Sequence, residues 1–419
     1  MADIETYVSE LLTNAGKAAR SLAVASSAKK DAALLKAADG ILASADKLKS
    51  ANAEDIAAAE KAGISTAMID RLRLTDKRIT GMADALRTVA ALRDPVGEVI
   101  SGWRRPNGLE ISKVRVPLGV ILMIYESRPN VTADAGSLCL KSGNAAILRT
   151  GREAIRSSQA IHAVLSDALE VAGLDRNGIQ LVNTPDRAVV DLLLKAQGRI
   201  DLVIPRGGEG LIRAVVEKSR IPVIKHYKGV CHTYVDAAAD LDMAEAISVN
   251  AKMQRAAVCN AMETLLVHAD VAEEFLPRVC AALAKAGCEL RGCDRSRAVV
   301  SDMKAATEED WSEEYNDLIL SVKVVDSLED AVEHIARYGS KHSDAIVTRD
   351  LNAARAFTAA VDSSAVFVNA STRFNDGGEF GMGAEIGIST DKLHARGPMA
   401  LPELTSYKYI VTGDGQIRE

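Results

Sequence analysis

VPLGVILMIYE, Val116–Glu126, is the stretch whose reading decides the fold. It is a near-continuous apolar run, not the alternation of a half-solvated strand. Such a run reads as a parallel strand buried on both faces. The segments after it keep that reading. TADAGSLCLKSG (132–143) has helical spacing, NAAILRT (144–150) is a strand, and residues 153–173 form a helix. IQLVNT, RAVVDLLLKAQG, IDLVIPR and GGEGLIRAVVEKS then repeat strand, helix, strand, helix up to residue 219. Strands alternating with helices predict a parallel sheet covered on both sides, an architecture that binds nucleotides but does not by itself define an activity.

A second α/β series follows. It runs through TLLVH (264–268), a helix over 271–287, LILSVKVV, LEDAVEHIARYG, DAIVTRD, LNAARAFTAAV and AVFVNAS. Upstream, residues 1–93 are rich in Ala, Lys and Asp at helical spacing and read as amphipathic helices. Between them and the first strand, two alternating runs flank Pro106-Asn107-Gly108, a strong hairpin signal. The chain turns glycine-rich at FNDGGEFGMGAEIGIST (374–390) and closes on a strand-like tail. The expected division is residues 1–98 with 117–255 for a cofactor domain, 256–385 for a second domain, and 99–116 with 386–419 for a projecting arm.

At 419 residues the chain exceeds one compact core. Its net charge of −6 has both signs dispersed, with no basic block that would meet nucleic acid. No apolar run approaches the roughly 20 residues of a membrane span. The N-terminus lacks a basic then apolar leader, so export is not expected and the cytoplasm is. Six cysteines in a chain this long do not make a disulfide framework and suit a reducing compartment. The seven histidines form no HxxxH or CxxC spacing, so no metal site is expected.

Four local features carry chemistry. Gly207-Gly208, in IPRGGEG with Pro205, lies between a strand and a helix, where backbone N–H groups can cradle a phosphate. It equally suits a plain turn, and there is no GxGxxG. Arg149 ends a strand, with Arg152 close behind. A base at that position accommodates the 2′-phosphate of NADP(H) where an acid would take the ribose of NAD, but local sequence favours a plain solvated arginine at a strand end. Cys259, in MQRAAVCNAMETLLVH (253–268), is flanked by Asn260 and preceded by Gln254 and Arg255. Free cysteine is usually a buried hydrophobe, so local sequence favours core; entry into the second α/β series would also suit a nucleophile in an interdomain cleft. The glycine-rich loop around Asn375, Gly377 and Gly378, with Asp376 and Glu379, is a turn or a substrate loop.

Longer motifs separate these alternatives. YESRPNVTADAGSLCLKSGNAAILRTGREA, IPRGGEGLI, GVCHTYVD, VCNAMETLLVH, YGSKHSDAIVTRD and DGGEFGMGAEIGISTDKLHARGPMALPELTSYKYIV resemble the aldehyde dehydrogenase superfamily, and within it the γ-glutamyl phosphate reductase family. The resemblance implies an aldehyde dehydrogenase-like α/β fold: a Rossmann-type cofactor domain, a second α/β catalytic domain, and a hairpin-and-tail oligomerisation arm. It implies NADPH-dependent reduction of L-glutamyl 5-phosphate to L-glutamate 5-semialdehyde, through a thioester on Cys259, as the second step of proline biosynthesis. By the same resemblance Asn130 donates to the oxyanion, Arg149, Pro205, Gly207, Gly208 and Glu314 meet NADP(H), and the chain forms at least a homodimer. A functional pairing with glutamate 5-kinase also belongs to it. Arg128, Asn375, Gly377 and Gly378 are expected at the substrate.

One departure bears on direction. Hydrolytic aldehyde dehydrogenases keep a general-base glutamate in an ELGGK-type segment, which KHYKGVCH matches with Lys225 at the acidic position. Hydrolysing a thioester needs a base for water, whereas reducing an acyl phosphate needs none. The two rival readings are an aldehyde dehydrogenase that hydrolyses to the free acid with NAD(P), and an inactive scaffold of the same fold.

Overall fold

The computed structural model describes residues 2–418, which divide into two compact units. The first runs to Lys225 and takes in Gly381–Gly387 and the chain from Met399 onward. The second comprises His226–Phe380 and Ile388–Pro398.

In the first unit, Val120–Tyr125 is fully buried, as its apolar run requires. It pairs in parallel with Ala145–Thr150 on one side and Leu202–Arg206 on the other. Ile179–Leu181 completes a four-stranded parallel sheet. Pro205 lies in the edge strand, where its missing N–H costs no ladder bond. Helices Val131–Lys141, Ile155–Val171 and Arg187–Leu193 connect the strands. The N-terminal region folds into five helices, Ala2–Leu22, Ser27–Ala43, Ala45–Lys61, Thr66–Leu72 and Asp76–Ala91, in line with its periodicity. Polar clips anchor them: buried Asp55 accepts from Ser157 N at 2.8 Å, and buried Asn52 donates to Leu72 O at 2.8 Å and accepts from Leu74 N at 2.7 Å.

The hairpin and the tail meet as expected. Val99–Arg104 and Glu110–Pro117 are antiparallel around Gly108, whose φ of 92° needs glycine. Thr405–Thr412 pairs antiparallel with the second of them, giving a three-stranded sheet.

The second unit is built on seven parallel strands. Their order in space is Lys304–Ala305, Glu289–Gly292, Ile319–Val325, Met262–His268, Cys231–Val235, Ser343–Val347 and Ala365–Val368. Met262–His268 is central, and its alternating side chains feed two cores. Leu265 and Val267 join Phe275, Val279 and Leu283 on one face, while Leu266 joins Tyr234, Ile346 and Phe357 on the other.

The expected boundary at 255 moves. Residues 226–255 belong to the second unit because Cys231–Val235 is an inner strand of the seven-stranded sheet. CHTYV does not read as apolar, yet all five residues are buried. Its histidine is accommodated by a partner far along the chain: His232 Nδ1 and Asp344 Oδ1 lie 2.8 Å apart, both wholly buried. Two short strands at one end of the sheet, Glu289–Gly292 and the edge strand Lys304–Ala305, also went unread in the sequence.

Candidate active site

Cys259 lies in the second unit, between the helix Leu241–Met253 and the central strand Met262–His268. It is half-buried, whereas Cys139, Cys231, Cys280 and Cys288 are buried. Three contacts fix its backbone. Gly229 presses against it so closely that a Cβ there would fall 1.9 Å from Cys259 O. Cys231 Sγ donates to the same carbonyl at 3.2 Å. Buried Asn260 donates through Nδ2 to Asn375 O at 3.0 Å and to Arg373 O at 3.3 Å, and Thr372 Oγ1 donates to Asn260 O at 2.8 Å. The nucleophile loop is thereby stitched to residues 372–375.

Two imidazoles, which the sequence reading left unassigned, stand at this thiol. One ligand atom each of His226, Cys259 and His342 lies within 4.8 Å of the others. Spacing along the chain gave no such constellation, and tertiary folding assembles one. The two rings meet edge to face, with centroids 5.3 Å apart. His226 Nδ1 lies 2.8 Å from Ile388 O. A carbonyl can only accept, so Nδ1 carries a proton, and in the neutral ring the lone pair is on Nε2. His342 is fully buried, and burial pushes its pKa down to about 3, so it is neutral.

Arg373 adds positive charge. Its guanidinium bonds Asn260 Oδ1 and donates through Nε to Gln254 Oε1 at 2.9 Å; burial lowers its pKa, and negative charge on Cys259 would oppose that shift. Cationic surroundings favour thiolate over thiol. Gln254, noted beside Cys259 in the sequence, therefore holds this arginine.

Asn375 is wholly buried, and its Nδ2 donates to Ser343 Oγ at 2.8 Å, which in turn bonds His342 Nδ1 at 2.8 Å. That places the Asn375 amide behind the His342 ring. Asp376 Oδ1 accepts from Gly378 N at 2.9 Å and from Glu379 N at 3.3 Å, so the Gly377-Gly378 segment is a carboxylate-braced turn. The Glu314 carboxylate is bonded by the Gly229 N–H and the Asn316 side chain, while burial raises its pKa. It thus braces the glycine that backs Cys259.

The remaining residues singled out in the sequence lie in the first unit. Arg149 is half-buried on Ala145–Thr150. Its Nη2 donates to Pro185 O at 3.4 Å, and its buried Nε has no hydrogen-bond partner among the described residues. Burial lowers its pKa, opposed by Glu153 and Glu126. Gly207-Gly208 does precede a helix, Glu209–Lys218, but the Gly208 N–H points to Glu126 Oε2 at 3.1 Å. A carboxylate of the chain itself thus takes the N–H expected to cradle a phosphate. Asn130 opens Val131–Lys141 and donates through Nδ2 to Asp134 Oδ2 at 2.8 Å, leaving one amide hydrogen for other use. Arg128 is exposed beside Ser127, whose φ is 48°.

A half-exposed thiol held by its backbone, with imidazole and guanidinium around it, is equipped for nucleophilic catalysis on a carbonyl carbon. The aldehyde dehydrogenase family model matches residues 3–291. The chain belongs to the aldehyde dehydrogenase family. Similar curated members are named γ-glutamyl phosphate reductase. The one from Moorella thermoacetica is 58% identical over 405 residues, covering 97% of both chains. The one from Clostridium acetobutylicum is 53% identical over 417 residues, covering 100% of both. The crystal structure of γ-glutamyl phosphate reductase from Thermotoga maritima superposes with a TM-score of 0.96 at 44% identity, covering 98% of this chain and 100% of that one. Within the aldehyde dehydrogenase family the chain therefore belongs with the γ-glutamyl phosphate reductases. An acetylating aldehyde dehydrogenase from Geobacillus thermoglucosidasius, at 18% identity and a TM-score of 0.69, shares the fold.

Proposed function

We propose that this protein reduces L-glutamyl 5-phosphate to L-glutamate 5-semialdehyde and phosphate with NADPH, the second step of proline biosynthesis from glutamate. The observation that carries the mechanism is the Cys259 loop: a half-buried thiol with a backbone fixed by Gly229 and Asn260 and two imidazoles within 4.8 Å.

Cys259 loses its proton to His226 Nε2, the nitrogen that the Ile388 hydrogen bond leaves basic. The thiolate attacks the γ-carbonyl carbon. A C–S bond forms, the C–O bond to phosphate breaks, and the phosphate leaves with its electron pair. The second amide hydrogen of Asn130 is the oxyanion donor in this scheme. A dinucleotide with a 2′-phosphate fits Arg149, whose buried Nε lacks a partner among the described residues; NADPH, when bound, would supply the hydride. The resulting thiohemiacetal collapses, the C–S bond returns its electrons to Cys259, and the aldehyde departs. His226 and Arg373 keep that sulfur a competent leaving group.

The test is phosphate-dependent reduction of NADP⁺ with glutamate 5-semialdehyde. Wild type should require phosphate, and Cys259→Ser should lose activity by about 10³-fold or more, as removal of a nucleophile does. Turnover without phosphate, yielding glutamate, would instead support the hydrolytic reading. Unchanged turnover in a folded Cys259→Ser variant would sink the thioester mechanism.

A further inference from the structure

His226, Cys259 and His342 have a capability that acyl transfer does not use. We infer that these three side chains form a binding site for a thiophilic divalent cation of the zinc type, and that the ion, once held, occupies the sulfur and arrests turnover. The inhibition, though not the binding, rests on Cys259 being the nucleophile proposed above.

The donor set is two imidazoles and one thiolate, with no carboxylate within the trio. That combination selects zinc, cobalt and copper ions over magnesium or calcium. Three protein ligands leave a fourth position for water, as in open zinc sites. Bonds of about 2.0 Å to nitrogen and 2.3 Å to sulfur put neighbouring ligand atoms about 3.5 Å apart. The trio lies within 4.8 Å, so a small rotation of the rings closes it.

The surroundings are those of a ligating pair of histidines. Each ring has its Nδ1 in a hydrogen bond, a pattern that orients the ring of a metal-ligating histidine. For His226 the partner is Ile388 O at 2.8 Å. For His342 it is Ser343 Oγ at 2.8 Å, and that oxygen can accept from Nδ1–H and from Asn375 Nδ2 together. An independent observation points to a missing ligand. His342 is wholly buried, and its Nε2 has no hydrogen-bond partner among the described residues. Buried ring nitrogens are normally satisfied, and a coordinated ion would satisfy this one. The neighbouring thiol of Cys231 is directed at Cys259 O and stays outside the set.

The experiment uses the full chain, reduced and stripped of metal, titrated with Co²⁺ and then with Zn²⁺. Wild type should show a sulfur-to-cobalt charge-transfer band in the near ultraviolet with tetrahedral visible bands, both bleached by Zn²⁺. Zn²⁺ should also protect Cys259 from iodoacetamide. Cys259→Ala should lose the band, and Ser343→Ala should weaken binding about 10–100-fold, the usual cost of removing a ligand's supporting hydrogen bond. His226→Ala, at a half-buried position, tests the set should His342→Ala not fold. Cobalt uptake without sulfur character, or equal uptake by Cys259→Ala, overturns the site. A band in wild type together with a fully active Cys259→Ser keeps the metal site and removes the catalytic reading, whereas no band with an inactive Cys259→Ser does the reverse.

Discussion

Gly229 has no room for a side chain. Its φ is not in the left-handed region, so the constraint is space, set by the Cys259 backbone lying where a Cβ would go. Gly229→Ala must push the Cys259 loop outward, breaking the Asn260 stitches or the Glu314 bond behind it. Overpacking of this kind costs about 1–3 kcal/mol of stability. A shift of about 1 Å in a reacting atom costs about 100-fold in rate. We therefore expect kcat to fall about 100-fold while the melting temperature drops only modestly; a variant with wild-type kcat would show that the loop position is irrelevant. Arg149 offers the second prediction at this scale. Arg149→Ala should raise KM for NADPH at least tenfold more than KM for NADH, because one charge-assisted hydrogen bond contributes about 1.5–3 kcal/mol. Equal changes would mean that Arg149 does not meet the 2′-phosphate.

Among the elements, the three-stranded sheet of hairpin and tail has exposed outer strands: Val99–Arg104 is exposed throughout and Thr405–Thr412 from Ser406 onward. Trp103, Tyr409 and Val411 are 45%, 54% and 54% exposed. Trp103 packs edge-on to Tyr409 at 6.2 Å, Tyr409 meets Tyr407 at 5.7 Å, and Lys113 Nζ lies 3.6 Å over the Tyr407 ring. Contiguous exposed aromatics mark an interaction face, and the two outer strands keep unpaired edges. We propose that a second copy of the chain covers this sheet. Light scattering should find wild type as a dimer or larger and Trp103→Glu/Tyr409→Glu shifted toward monomer, with the far-ultraviolet spectrum unchanged. A wild-type monomer at micromolar concentration would refute the proposal. No helix among the described residues is long and apolar enough to cross a membrane.

Over the whole molecule, buried neutral histidines make stability depend on pH. Burial pushes His342 down to about 3 and His334 down to about 2, the latter helped by charge on His232 and Lys323. Unfolded histidine titrates near 6.5, so between that value and about 3 the unfolded chain binds more protons than the folded one. Stability is therefore present above about pH 6.5 and is lost as pH falls, by up to about 1.4 kcal/mol per pH unit for each ring. Denaturant titrations from pH 7 to pH 4 should show this slope, and His334→Gln should remove about half of it. An unchanged slope in that variant would place the acid sensitivity elsewhere.

Much of the fold was legible in the sequence because backbone periodicity is local. Val116–Glu126, the helices around it and the second α/β series declare themselves by which residues are apolar and how often. The hairpin follows from Asn-Gly chemistry, whereas Cys259 reads locally as a core thiol and Arg149 as a solvated strand end, and only the longer family motifs turn them into a nucleophile and a cofactor contact. Other features were decided by tertiary structure alone. Cys231–Val235 is an inner strand because Asp344, far along the chain, satisfies His232. Gly208 does not present its N–H to a phosphate because Glu126 reaches it first. His226 and His342 carry no local signal, since their meaning lies in one thiol that loops from separate parts of the chain share. Periodicity is written in neighbouring residues, whereas the imidazoles and the guanidinium around a reacting sulfur come from residues far from it along the chain, and only folding brings those together.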